Sequence, residues 1–76
     1  MANLSDKIVT LLEPGIGKSM AGTVVRTNCT KIGTSPEELN FKNIDEFIKN
    51  LTPALNVFAG EDFARKVVEK IKEMKG

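Results

Sequence analysis

Residues 61–75, EDFARKVVEKIKEMK, place apolar side chains at the spacing of one face of an α-helix. That face consists of Phe63, Ala64, Val67, Val68, Ile71 and Met74. Acidic side chains lead and lysines follow, which suits the helix dipole because negative charge is favoured at the N-terminus and positive charge at the C-terminus. The segment therefore predicts an amphipathic helix, entered through a tight link at Glu61 and Asp62.

The preceding segment predicts a second helix that begins after Asn43 and ends at Gly60. Its apolar stripe consists of Ile44, Phe47, Ile48, Leu51, Ala54, Leu55, Phe58 and Ala59. Asn43 and Glu46 have the spacing of a capping box, in which each side chain accepts a bond from the other residue's backbone N–H group. Pro53 lies opposite the stripe, where it would bend the helix towards the core. The alternative is that Thr52 caps a separate short helix.

The N-terminal half predicts two more helices. Asn3 can cap the first, whose inner face contains Leu4, Ile8, Leu11 and Leu12, and Pro14 and Gly15 are expected to end it. The second runs from Ile16 to Ile32, and Gly33 closes it in a left-handed conformation. Its apolar band covers more than half of the circumference and consists of Ile16, Met20, Ala21, Val24, Val25, Cys29 and Ile32.

Residues 34–39, TSPEEL, have the order of a short helical turn, with a hydroxyl cap, a proline and then two acids. The complete pattern predicts an all-α fold, a compact bundle of four amphipathic helices plus a short helical turn. We expect residues 1–76 to form a single helical domain, and we identify no internal repeat and no linker. A chain of 76 residues buries a small core, so self-association would help to stabilise it.

Residues 12–19, LEPGIGKS, differ at one position from the phosphate-binding pattern GxxxxGK[ST]. The first glycine of that pattern leaves room for the phosphate, and Leu12 fills the space with a side chain. Such a loop also follows a strand of a parallel sheet, for which this chain is too short. We therefore expect Lys18 and Ser19 to lie in an ordinary helical turn, and we predict no bound cofactor.

The composition argues against an enzyme. The chain contains no histidine and one cysteine, Cys29, so the usual general base and the usual set of zinc ligands are missing. We therefore predict no catalytic residues and no metal site. No long apolar run or secretion signal is present, and a single cysteine cannot form a disulfide framework. These features predict a cytoplasmic protein without a membrane segment.

The broad apolar band of the second helix suggests an interaction or oligomerisation module, with Gly22, Val25, Asn28 and Cys29 as candidate interaction residues. Gly22 lies within the helix, where glycine usually indicates that another helix approaches closely, either in the same chain or in a second copy. Asn28 projects into the band and needs polar partners, either across a dimer interface or in loop backbone. Cys29 is expected to be a small core residue. The predicted partner is a protein or a second copy of the chain.

Two other functions are kept as alternatives. Nucleic-acid binding would use basic residues of the second and last helices, but a net charge of +1 is low for it. A small-ligand or carrier domain is the other alternative, because the helix count and residues 31–39, KIGTSPEEL, loosely resemble acyl carrier proteins. That family attaches its prosthetic group to serine in an Asp-Ser-Leu triplet, which is absent here. An apolar pocket would then be lined by Met20, Phe47, Phe58 and Phe63.

Overall fold

A computed structural model of the protein describes residues 3–75, and side chains as far as Met74. Four α-helices cover most of these residues, and no strand occurs among them. The helices are α1 (Leu4–Ile16), α2 (Lys18–Lys31), α3 (Ile44–Ala59) and α4 (Glu61–Lys75). The predicted all-α, four-helix fold is therefore confirmed.

A capping box begins α1, as the predicted cap at Asn3 requires. The Asn3 Oδ1 atom accepts a bond of 2.9 Å from the Asp6 N–H group, and Asp6 Oδ2 accepts from the Asn3 N–H group at 3.4 Å. The predicted end at Pro14 and Gly15 is wrong, because α1 continues through both residues to Ile16. Pro14 is exposed, so the carbonyl group that loses its donor can bond water instead.

One glycine joins the two helices in each half of the chain. Gly17 connects α1 to α2 with φ 85° and ψ 159°, and Gly60 connects α3 to α4 with φ 91° and ψ 158°. A positive φ in this region is strained for residues that have a Cβ atom. The turn needs only this residue, so α2 begins at Lys18 rather than Ile16. The predicted link at Glu61 and Asp62 is wrong, because both residues belong to α4.

The two halves repeat the same pattern of burial when residues are counted from these glycines. Buried apolar residues lie nine and five positions before each glycine and four and seven positions after it. The pairs are Ile8 and Leu51, Leu12 and Leu55, Ala21 and Ala64, and Val24 and Val67. A helical hairpin thus occurs twice in the structure, although the two halves have little sequence identity and the sequence shows no evident internal repeat.

The four helices enclose one core, whose buried apolar residues form a single cluster. The members of each hairpin pack on one another, and α2 also packs on α3 while α1 contacts α3 and α4. Between the hairpins, Gly33 has the predicted positive φ of 79° and residues 36–38 form a turn. The N–H groups of Glu38 and Leu39 both donate to the Ser35 carbonyl, and Leu39 is buried in the core.

The structure also distinguishes between the alternatives for α3. The helix is continuous through the exposed Pro53, and the Thr52 hydroxyl donates to the Ile48 carbonyl within it at 2.8 Å. Thr52 therefore does not cap a separate helix. The predicted capping box of Asn43 and Glu46 is wrong, because the Asn43 side chain accepts a bond from the N–H group of Asn40 and caps nothing in α3.

A glycine of α1 receives an aromatic ring of α4. A Cβ atom on Gly15 would lie 2.5–2.8 Å from three atoms of the Phe63 ring, so only glycine leaves room for this contact. Gly22 differs, because a Cβ atom there would meet no atom within 4 Å. The predicted close approach of a helix of the same chain to Gly22 is therefore wrong, and a glycine in α1 has that role.

We expect Gly22→Ala and Gly15→Ala to change stability in opposite directions. Alanine at Gly22 raises the free energy of unfolding by about 1 kcal/mol, because it improves helix propensity in open space. Alanine at Gly15 displaces the Phe63 ring and lowers the free energy of unfolding by about 1 kcal/mol. Urea denaturation followed by circular dichroism measures both changes.

A double-mutant cycle assigns the effect at Gly15 to the ring. In the Phe63→Ala background the obstacle is gone, so Gly15→Ala should become stabilising to about the same extent as Gly22→Ala. Equal stabilisation by both alanines in the otherwise unchanged protein would contradict this account of the packing.

Candidate functional site

The four candidate interaction residues lie on α2 but do not share a surface. Val25, Asn28 and Cys29 are buried, whereas Gly22 is partly exposed. The structure therefore brings three of them into the core and leaves one at the surface. The exposed face of α2 that includes Gly22 is formed instead by Lys18 and Arg26, four residues on either side of it.

Asn28 is a polar residue in a core position, with 3% of its surface exposed. Its Nδ2 atom donates to the Val24 carbonyl at 2.8 Å, and its Oδ1 atom has no hydrogen-bond partner within the described chain. The amide therefore bonds its own helix rather than loop backbone. Asn28 lies eleven residues after Gly17, and the residue eleven after Gly60 is the fully buried Ile71.

Ser5 is a second polar residue at a core position where the other hairpin has an isoleucine. It is buried, lies twelve residues before Gly17 and corresponds to Ile48, twelve residues before Gly60. The Ser5 hydroxyl donates to Asn3 Oδ1 at 2.6 Å. The first hairpin thus has polar residues at two core positions where the second has isoleucine. The one at Asn28 leaves a buried acceptor unsatisfied, which costs roughly 1–3 kcal/mol.

We expect Asn28→Leu to raise the free energy of unfolding by about 1–2 kcal/mol, because leucine has a similar size and removes the unsatisfied acceptor. Asn50 provides a matched control, because its side-chain amide also donates to the carbonyl four residues earlier but is exposed to water. Asn50→Leu should change stability by less than about 0.5 kcal/mol. Destabilisation by Asn28→Leu would contradict this account of the buried amide.

Cys29 is fully buried beside the turn that follows α2. Its carbonyl accepts a bond of 2.9 Å from the Thr34 N–H group. Burial raises the pKa of the Cys29 thiol above its ordinary value, and the negative charge of Glu37 raises it further. A thiol of this kind stays protonated and is a poor nucleophile and a poor metal ligand.

Stability should depend on pH through this thiol. The unfolded chain ionises Cys29 near the ordinary pKa of 9.0, whereas the folded chain holds the proton to higher pH. The free energy of unfolding should therefore fall as pH rises through about 9 and stop falling above the folded pKa. Denaturation of the protein and of Cys29→Ala across this range measures the effect. Parallel pH profiles for the two proteins would contradict it.

The segment that resembles a phosphate-binding loop has none of the required surroundings. Helix α1 precedes it instead of a strand, and Leu12 is fully buried in the core. Lys18 and Ser19 are exposed in the first turn of α2, as expected. Among the residues with described side chains, no three metal-ligating groups lie close enough together to hold an ion.

Large apolar side chains are exposed at the end of α3, where the sequence did not predict them. Val57 is 82% exposed and Phe58 is 53% exposed, although the helical stripe predicts a buried Phe58. Met20 is 41% exposed and Phe41 is 45% exposed. Since Phe47 is fully buried while Met20 and Phe58 are exposed, these residues do not line the pocket considered for a small ligand. Counting from the glycines could have revealed the surface, because Val57 and Phe58 correspond to Pro14 and Gly15.

The basic residues of α2 and α4 whose side chains are described are exposed, and those of α4 are interrupted by acids. On α4, Arg65 lies 4.0 Å from Asp62, and Glu69 separates Lys66 from the last turn. Within residues 3–75, no helix is long and apolar enough to cross a membrane. Comparisons with protein-family models, with curated proteins and with solved structures found no significant match to this chain.

Proposed function

We propose that the protein is a non-catalytic interaction module that binds a protein partner through an apolar surface at the end of α3. This α3-end surface is defined by Val57 and Phe58, together with Met20. The observation that carries the proposal is the exposure of 82% of Val57 and 53% of Phe58 on consecutive residues. Exposed apolar clusters of this kind are typical of surfaces that are covered by another protein.

The hairpin turn itself does not require these side chains. The first hairpin makes the same glycine turn with Pro14 and Gly15 in the corresponding positions. An exposed phenylalanine and valine therefore have no evident role in folding. They add apolar surface that water must solvate, and a partner that covers it would gain the corresponding hydrophobic free energy.

Met20 is included because of the pairing between the hairpins. Phe63, three residues after Gly60, packs on Gly15, two residues before Gly17. The corresponding pair consists of Met20, three residues after Gly17, and Phe58, two residues before Gly60. By this correspondence we expect Met20 to lie close to Phe58. A methionine beside an exposed ring is a common feature of adaptable binding surfaces.

The proposal includes a cytoplasmic location and no enzymatic activity. Support for both comes from the composition, because the chain has no histidine and a single, buried cysteine. The partner that fits the α3-end surface is a protein with an apolar groove or helix face, since Val57 and Phe58 expose most of their side chains.

We expect Val57→Ser/Phe58→Ser to lose partner binding without unfolding. Affinity capture from nuclease-treated lysate, quantified by mass spectrometry, compares this variant with the unchanged protein. The captured amount of each protein that binds through the surface should fall at least about tenfold. Loss of roughly 2 kcal/mol of apolar contact weakens binding by more than that factor.

Phe41→Ser is the matched control, because Phe41 is similarly exposed but lies in the loop before α3. It should retain the captured proteins, and circular dichroism should show equal helicity for all three proteins. Equal capture by the double variant and the unchanged protein would overturn the proposal. A parallel capture from untreated lysate tests the alternative. Proteins that all three baits capture there, but that none captures from nuclease-treated lysate, would favour nucleic-acid binding instead.

A further inference from the structure

A groove lies on the outer side of each hairpin, and the two grooves use equivalent positions. The first has a volume of about 540 Å³ between α1 and α2, and the second has a volume of about 380 Å³ between α3 and α4. Five positions counted from the joining glycine are common to both linings. The repeat therefore produces two surfaces of related shape on one molecule.

The charges are opposite at two equivalent positions of these surfaces. Each full lining contains both signs, with Asp6 and Glu37 also in the first groove and Arg65 and Lys72 also in the second. Lys18 and Arg26 line the first groove at one and nine residues after Gly17, and Glu61 and Glu69 line the second at one and nine residues after Gly60. All four side chains are exposed. None of these four forms an ion pair in the described part of the chain. Their charges are therefore available to another molecule.

The charged residues form a stripe on each helix because they are spaced by four or eight residues. We define the α2 stripe as Lys18, Gly22 and Arg26, and the α4 stripe as Glu61, Arg65 and Glu69. In each stripe both ends have the same charge, so the two stripes match whether the helices cross in parallel or antiparallel directions. At the centre, Gly22 leaves open space opposite the long side chain of Arg65.

We propose that the α2 stripe of one copy binds the α4 stripe of a second copy. This inference goes beyond the proposed function, because it concerns binding between copies of the chain and uses a different surface from the α3-end surface. The two stripes are different surfaces of one chain, so each bound copy keeps one stripe of each kind free. Such contacts extend into chains or close into rings.

The association should be weak and sensitive to salt. Exposed ion pairs contribute roughly 0–1 kcal/mol each, and salt screens them. Sedimentation equilibrium measures the weight-average mass against the monomer mass of 8.3 kDa. At about 10 mM salt the mass should rise with protein concentration up to about 1 mM, and at about 500 mM salt the rise should largely disappear.

Charge exchange gives the decisive test. Lys18→Glu/Arg26→Glu makes both stripes acidic, and Glu61→Lys/Glu69→Lys makes both basic, so each variant alone should remain monomeric. An equimolar mixture of the two should associate, because each supplies the stripe that the other lacks. The quadruple variant exchanges both stripes and should associate like the unchanged protein.

Control variants separate this inference from the proposed function. Lys7→Glu/Lys42→Glu changes the net charge by the same amount as Lys18→Glu/Arg26→Glu, but at exposed residues outside both stripes. It should associate like the unchanged protein. Val57→Ser/Phe58→Ser should also associate normally, even where it loses its partner in capture. Circular dichroism establishes that each variant is folded, and a variant that loses helicity is replaced by the corresponding single substitution.

Three results would overturn the inference. The first is that the unchanged protein is monomeric at low salt. The second is that Lys18→Glu/Arg26→Glu or Glu61→Lys/Glu69→Lys associates as well as the unchanged protein. The third is that the equimolar mixture of these two variants, both folded, stays monomeric. If the first occurs while the α3-end surface still binds a partner, the proposed function survives without self-association through the stripes. If only Val57→Ser/Phe58→Ser abolishes self-association, the α3-end surface is the site and the stripes are not.

Discussion

The glycine turn within each hairpin is the constraint on which the arrangement of the molecule depends. Gly17 and Gly60 each reverse the chain in one residue with nearly the same φ and ψ angles. Because the turn has no other residue, the positions on both flanking helices are fixed relative to each other. Apolar residues at constant distances from the glycine then meet in the core. Two hairpins with few identical residues can thus form closely related surfaces.

The sequence predicts the helices well where apolar spacing is the dominant signal. The stripes of α3 and α4 are unambiguous, and the structure confirms both helices. The ends are harder to predict, because a proline such as Pro14 destabilises a helix interior but does not always end the helix. Here Pro14 is exposed, and α1 continues past it with Leu12 fully buried in the core. Phe58 was misplaced because periodicity locates a face and does not show where the core ends.

The candidate interaction residues were harder to predict for a related reason. A band that covers more than half of α2 does not reveal which part faces the core and which part faces water. Of the four candidates, three are buried in the core, namely Val25, Asn28 and Cys29. Only Gly22 is partly exposed at the surface. Gly15 escaped notice because it follows a proline and resembles a helix end. Its role depends on a ring 48 residues away in sequence, and helical periodicity contains no information on such contacts.

The two halves differ at equivalent positions of the repeated hairpin. The first hairpin has serine and asparagine at core positions where the second has two isoleucines, so it contributes more polar groups to the shared core. It also has the basic stripe, whereas the second hairpin has the acidic stripe and the exposed end of α3. A repeated hairpin with identical surfaces would present like charges to its copy and repel it. Divergence of charge at Lys18 and Arg26 against Glu61 and Glu69 gives the two helices opposite stripes, and this difference is the basis for the proposed binding of a second copy.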